Sequence, residues 1–323
     1  MGKLVDGTWN NATEQTRVSK DGDFVRGTTK FRRRVHAAPD AQFPAEAGRY
    51  HLWVANNCPW AHRAVIVRNL KKLTSVISMS IAHYRRNELG WWYHEGLDGL
   101  EPEDGKFALH RLYTMTEPEY SGSATVPVLW DRKQQVAVSN ESAEIIIMMN
   151  GEFEEFADTS VDLYPVELRA EIDEVNEWVY GTINNGVYRC GFARTQEAYE
   201  RAFVPLFESM DRVEQRLDAH RYLVGDRITL ADVRLFTTLA RFDAVYYSHF
   251  KCNNRRVADY PNMSHYFRDL YQTPGIGETV TIDIYKKGYY GRSPGLNPRG
   301  IIPMGPVQDF DAAHNRAERS YSG

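Results

Sequence analysis

Residues 50–73 read Tyr-His-Leu-Trp-Val-Ala-Asn-Asn-Cys-Pro-Trp-Ala-His-Arg-Ala-Val-Ile-Val-Arg-Asn-Leu-Lys-Lys-Leu, a pattern that predicts strand, tight turn and helix. Tyr50 to Ala55 is rich in aromatic and β-branched side chains, and Asn56-Asn57 is a turn pair. Pro59 suits the first position of a helix, where an N–H would have no intrahelical partner. Cys58 therefore lies at a helix mouth, where unpaired N–H groups and the positive dipole end stabilise an anion and favour a thiolate. His62 and Arg63 add donors or positive charge within about one turn. The usual fate of a lone cysteine is burial in a core, but a strand-to-helix junction flanked by Asn-Asn and Pro is a poor place for it. A reactive thiol is the expectation.

Outward from this stretch, Val76 to Ile81 predicts a second strand. His83 to Met115 is polar, aromatic and dense in Gly, Asp and Glu, and a loop of that length reads as a lid or binding loop. Thr125-Val-Pro-Val-Leu-Trp-Asp131 and Gln135-Val-Ala-Val-Ser139 predict a hairpin, with Pro127 marking an edge, a strand start, a bulge or a cis bond. Ser139-Asn140-Glu141-Ser142 supplies side-chain caps for an apolar helix from Ala143 to Met149. Beyond an acidic stretch the pattern is helical over Val166 to Asn184, Thr195 to Ala219 with Pro205 as a kink, Leu230 to Tyr247, and Pro261 to Tyr271. Thr229-Leu-Ala-Asp232, preceded by Ile228, is a capping box with a hydrophobic staple, which is a folding signal and not a catalytic one. The order β-α-β, excursion, β-β-α and then helices predicts an α/β N-terminal thioredoxin-like domain followed by an all-α C-terminal domain. The boundaries expected are an irregular arm over 1–49, the thioredoxin-like domain over 50–150, a linker over 151–165, the helical domain over 166–280, and an irregular C-terminal extension over 281–323.

With 323 residues, 42% of them hydrophobic, the chain can bury a core in each of two domains. Its 39 basic and 43 acidic residues leave a charge of −4, so no global field draws nucleic acid, and Arg32-Arg33-Arg34 reads as a solvated face. Three widely spaced cysteines, Cys58, Cys190 and Cys252, form neither a disulfide framework nor a metal site, and an odd count suits a reducing, cytoplasmic compartment. The start lacks the apolar core of a signal peptide, and no run reaches the ~18 apolar residues of a spanning helix, so no membrane partner is expected. Nineteen tyrosines suit ring-lined pockets and an aromatic core equally.

In a dithiol site of this plan the second cysteine would stand at the position of Ala61. A monothiol that becomes a mixed disulfide needs an outside thiol to restore it, and Cys190 is read as a packing residue, not a distant resolver. The helix start at Glu141-Ser142 suits a carboxylate, with the Glu141 side chain able to pair with an ammonium. Val126 ahead of Pro127 can offer its N–H and C=O to an extended peptide. Together these describe a glutathione cradle.

At this point the residues carry a specific likeness. Asn56-Asn-Cys-Pro-Trp-Ala-His-Arg63, Gly90-Trp-Trp92, Thr125-Val-Pro-Val-Leu-Trp-Asp131, Ser139-Asn-Glu-Ser142, Asn184-Asn-Gly-Val-Tyr188 and Asn297-Pro-Arg-Gly-Ile-Ile-Pro-Met-Gly-Pro306 resemble the glutathionyl-hydroquinone reductases, the Xi class of glutathione transferases. The likeness covers nearly the whole chain. It implies glutathione as co-substrate, no metal, a homodimer, and reductive removal of glutathione from an S-glutathionyl-hydroquinone through a Cys58–glutathione mixed disulfide. It also implies that Trp91, Val126, Glu141 and Ser142 bind glutathione and that Tyr188 and Tyr289 bond the hydroquinone hydroxyls, roles that suit phenol donors. One departure stands out: Ser123 occupies a position where the resemblance implies an arginine on glutathione, with Arg111 and Arg132 as candidate substitutes. Two other readings predict different behaviour. An Omega-like thioltransferase or dehydroascorbate reductase would share the Cys-Pro helix start but not the long excursion or tyrosine-rich tail, and a non-catalytic binding module would need no reactive thiol.

Overall fold

The first strands are a short antiparallel hairpin, β1 (Lys3–Val5) and β2 (Thr8–Asn10), inside the segment expected to be an irregular arm. The central strand β3 (Tyr50–Val54) is buried along its whole length. It pairs in parallel with β4 (Ser78–Ile81), with helix α1 (Pro59–Leu70) in the connection between them. The excursion contains a two-residue ladder, β5 (Trp92–Tyr93) with β6 (Phe107–Ala108), and helix α2 (His110–Thr116). The hairpin β7 (Val128–Asp131) and β8 (Val136–Ser139) completes a four-stranded sheet in the order β4-β3-β7-β8, followed by α3 (Ser142–Gly151), which packs against α1. This computed structural model describes residues 2–11, 18–291 and 295–321. Residues 1 and 12–17 of the expected arm, and 292–294 and 322–323 of the expected extension, lie outside the described residues.

The remaining elements are helical: α4 (Arg169–Val179), α5 (Gly186–Phe192), α6 (Gln196–Ala219, running through Pro205), α7 (Leu230–Arg241), α8 (Tyr247–His249), α9 (Pro261–Tyr271) and α10 (Ile282–Tyr290). Two of the helices expected as continuous are interrupted by π-turns, Tyr180–Asn184 after α4 and Phe242–Tyr246 after α7. Helix α10 corrects the expectation of an irregular chain from 281 onward. Its Gly288 and paired tyrosines blur the helical period, but Tyr285 and Tyr290 are buried on packing, which overrides weak propensity.

The chain forms two compact units, Met1–Thr16 with Thr28–Val161, and Arg17–Gly27 with Asp162–Gly323. The expected arm is therefore divided, because its stretch near Phe24 packs with the helices: Asp23 takes the Arg201 guanidinium at 2.7 Å, and the Phe24 ring lies tilted against Phe192 with centroids 5.4 Å apart. The acidic stretch read as a linker is largely bound to the first unit. Lys71 Nζ reaches the Val161 carbonyl at 2.6 Å and Lys72 pairs with Asp158.

In the first unit, His51 on β3 is buried, with Nδ1 2.7 Å from Ser78 Oγ, and burial pushes its titration down from 6.5 to about 4. The unfolded chain takes a proton near pH 6.5 that the folded ring refuses. Stability is therefore fully present above about 6.5 and is lost as pH falls toward about 4, at about 1.4 kcal/mol per pH unit and about 3 kcal/mol in all. Denaturant melts of His51→Gln should have a shallower slope over that window than wild type, and equal slopes would refute this account.

Candidate functional site

Cys58 is the N-cap of α1, with extended backbone at φ −90° and ψ 118°. Its N–H donates to the Ala55 carbonyl at 2.9 Å, and its own carbonyl accepts from His62 N–H at 3.0 Å, which closes the first helical turn. The side chain makes no capping bond. Sγ instead lies 3.6 Å from the Val126 carbonyl, so the thiol sits beside the strand expected to receive a peptide. Asn57 Nδ2 donates to the Tyr84 carbonyl at 3.2 Å and ties the turn to the start of the excursion. His62 and Arg63 are both buried, with the Arg63 guanidinium 4.5 Å over the Trp60 ring. Of the three free thiols Cys58 is the half-buried one. Cys190 and Cys252 are inside, where burial pushes the Cys252 thiol well above its ordinary value. Ala61 is fully buried, which leaves a methyl where a resolving thiol would stand.

Val126 joins Pro127 through a cis peptide just before β7. Its register depends on Tyr113 of α2, a residue the sequence reading did not single out. The buried Tyr113 hydroxyl donates to the Thr125 carbonyl at 2.7 Å and accepts from Thr125 N–H at 2.9 Å and from Asn140 Nδ2 at 3.0 Å. One phenol thus joins the Val126 strand to the turn that opens α3. There Glu141, not a serine, is the cap: Oε1 accepts from Ala143 N–H at 3.1 Å and Oε2 from the Thr29 hydroxyl at 3.1 Å. Ser142 is the first residue of the helix and is buried. Tyr113→Phe leaves the buried Asn140 amide and the half-buried N–H and carbonyl of Thr125 short of a partner. It should destabilise the protein by about 2–4 kcal/mol and raise the glutathione KM several-fold. An unchanged KM beside the stability loss would reduce the network to scaffold.

Trp91 is buried, its carbonyl accepting from Leu109 N–H at 2.9 Å, and the Arg86 guanidinium lies 3.9 Å over its ring. Neither candidate substitute for the missing arginine is aimed at the thiol. Arg111 bonds the Glu101 carbonyl at 2.6 Å, and Arg132 clasps the Asp98 carboxylate at 2.5 and 2.6 Å and the Gly48 carbonyl at 3.0 Å. Among the described residues no group of three or more His, Cys, Asp and Glu could hold a metal ion, and no helix is long and apolar enough to cross a membrane.

In the second unit Tyr188 on α5 and Tyr289 on α10 meet hydroxyl to hydroxyl at 2.6 Å, both rings half-buried. The neighbouring Tyr290 turns its hydroxyl to Ser248 instead. Tyr246 adds a third phenol, 3.1 Å from Tyr289 Oη, and the Arg26 guanidinium covers the Tyr188 ring at 4.9 Å while Nε holds Asn185 Oδ1 at 2.8 Å. Neither Tyr246 nor Arg26 carries a local motif. The high tyrosine content was the sole signal in the sequence.

Residues 57–151 match the N-terminal domain of glutathione S-transferases and residues 196–269 the C-terminal domain. The chain is 46% identical to the glutathionyl-hydroquinone reductase YqjG of Escherichia coli, over 99% of each chain. It is 46% identical to the glutathionyl-hydroquinone reductase PcpF of Sphingobium chlorophenolicum, over 95% of this chain and 97% of that one. The Xi-class glutathione transferase of Natrialba magadii superposes with a TM-score of 0.90 at 42% identity, covering 100% of this chain and 98% of the other. The glutathione-bound YqjG structure does so with 0.86 at 44%, covering 98% and 99%. With a thioredoxin-like first unit, a helical second unit and this likeness over the full length, the chain belongs to the glutathionyl-hydroquinone reductases, the Xi class of the glutathione transferases.

Proposed function

We propose that this protein uses glutathione to reduce S-glutathionyl-hydroquinones, with Cys58 as the nucleophile. The observation that carries the reading is a half-buried thiol at the mouth of α1, beside the Val126 carbonyl and with Ala61 in the resolving position. A thiolate there attacks the thioether sulfur. The new bond is Cys58 Sγ to glutathione sulfur, the bond broken joins sulfur to the aromatic carbon, and the ring keeps that electron pair and takes a proton to leave as hydroquinone. A second glutathione thiolate attacks the mixed disulfide, departs as oxidised glutathione and returns Cys58 as thiolate.

Trp91, Val126, Glu141 and Ser142 hold glutathione in this reading. The Val126 backbone pairs with the peptide, the start of α3 receives a carboxylate, and the Glu141 carboxylate faces the ammonium. Tyr188 and Tyr289 bond the quinol oxygens and hold the ring in place while the carbon–sulfur bond breaks. The acting species is a homodimer in the cytosol, whose reducing poise suits three free thiols. Light scattering on the eluted protein tests the dimer, and a monomer mass at working concentration would end that part of the reading. The catalytic reading is tested by supplying an S-glutathionyl-hydroquinone with glutathione. Hydroquinone and oxidised glutathione should appear one for one, and absence of either product refutes it.

A further inference from the structure

Residues 28–33, in the segment expected to be an irregular arm, belong to the first unit and lie along β8, an edge strand of the sheet. The Arg33 N–H donates to the Val138 carbonyl at 3.0 Å and the Asn140 N–H to the Phe31 carbonyl at 3.0 Å, an antiparallel bridge between Arg32 and Ser139. Where β8 ends, a side chain continues the ladder: Asn140 Oδ1 accepts from the Phe31 N–H at 3.2 Å. Such pairing covers the edge and fixes the register of the arm.

Side chains add to the ladder. Phe31 is buried, with its ring centroid 5.2 Å from that of Tyr113 and 5.4 Å from that of Tyr120. Lys30 pairs with Glu117 at 3.7 Å, and Arg32 Nε donates to Glu144 Oε1 at 2.9 Å. Thr29, two places before Phe31, is half-buried and turns its hydroxyl to the start of α3. There Oγ1 donates to Glu141 Oε2 at 3.1 Å, a contact between residues 112 positions apart.

Rotation about the last bond of a glutamate side chain is soft and roughly two-fold, so one hydrogen bond leaves the second oxygen free to swing. In Glu141 the Ala143 N–H holds Oε1 at 3.1 Å and the Thr29 hydroxyl holds Oε2, and the two together set the plane of the carboxylate. Both of these donors are neutral. They orient the group without cancelling its charge, which suits it to hold a cationic ligand. The entropy of ordering the side chain is then lost on folding and not on binding.

We propose that Thr29 is a positioning residue for the amino end of glutathione: its hydroxyl holds the Glu141 carboxylate in the direction that meets the γ-glutamyl ammonium. The proposal rests on the reading that Glu141 receives that ammonium. It gives the N-terminal arm, which carries no motif at this point, a part in setting the affinity for the co-substrate.

The test is Thr29→Val, which removes the hydroxyl and keeps the branched shape, with calorimetric titration of two unreactive ligands. One is S-methylglutathione, and the other its analogue with a glutaryl group in place of γ-glutamyl, which lacks only the ammonium. A long side chain that must be ordered on binding costs about two- to tenfold in affinity. Thr29→Val should therefore bind S-methylglutathione about two- to tenfold more weakly than wild type and the glutaryl analogue equally well. Thr29→Ser keeps the donor and should restore the wild-type value. In turnover the KM for glutathione should rise by the same factor with kcat near wild type. Equal weakening for both ligands, no weakening for either, or a Thr29→Ser variant as weak as Thr29→Val overturns the proposal. Should Thr29→Val fold poorly, Thr29→Ala replaces it with the same expected pattern. If wild type itself binds the two ligands alike, Glu141 does not take the ammonium, and the underlying reading falls together with the proposal. Wild-type preference for S-methylglutathione beside an unweakened Thr29→Val overturns the proposal alone.

Discussion

Replacing Cys58 with alanine should lower hydroquinone release by about 10⁴-fold or more, the scale on which loss of a catalytic nucleophile is felt. The expectation follows from chemistry with no second route: Ala61 offers no neighbouring thiol, and Cys190 and Cys252 are buried. Cys58→Ser should be as inactive, because an alkoxide attacking sulfur yields no disulfide that a second glutathione can exchange. Folding should be almost unaffected. The Cys58 side chain caps nothing and makes one long contact to the Val126 carbonyl, while the helix start is held by backbone bonds and Pro59. Intact-mass measurement after treatment with oxidised glutathione should give a single adduct on wild type and none on Cys58→Ala. Residual release above about a hundredth of wild type would remove Cys58 from the mechanism.

The second large effect is on stability. Asp232→Ala should destabilise the helical unit by about 4 kcal/mol or more. The buried carboxylate accepts four hydrogen bonds: from Leu223 N–H at 2.9 Å and the Tyr266 hydroxyl at 2.7 Å on Oδ1, and from Thr229 N–H at 2.8 Å and the Thr229 hydroxyl at 3.0 Å on Oδ2. Alanine leaves all four donors inside without an acceptor, and it opens the capping box at the start of α7. Asp232→Asn keeps one acceptor oxygen and should fall between the two. Denaturant melts measure the effect, and a loss below about 1 kcal/mol would show that water replaces the carboxylate.

Much of the first unit was legible because its signals are local. Tyr50–Val54, the Asn-Asn turn, Cys58 and Pro59 specify strand, turn and helix within ten residues, and Thr229 with Asp232 specifies a helix start within four. Glu141 and Ser142 were legible as a helix start, though which side chain capped it required coordinates. The short elements α2, α5 and α10 escaped because each is stabilised by what it packs against, not by its own period. The substitutes suggested for the arginine missing at Ser123 could not be judged until Arg111 and Arg132 were seen bound elsewhere.

The sequence by itself determined the setting of Cys58: a cysteine at a helix mouth, a methyl at Ala61 three places on, and a neighbouring strand and capped helix start. Those features depend on residues a few places apart, where backbone geometry leaves little freedom. Only the tertiary structure decided how the phenols are arranged. Tyr188 and Tyr289 meet across 101 positions and Tyr246 and Tyr289 across 43, and Tyr113 reaches Asn140 across 27. No local pattern encodes such meetings. They exist because packed helices bring distant side chains together, and because each buried hydroxyl must find a partner there.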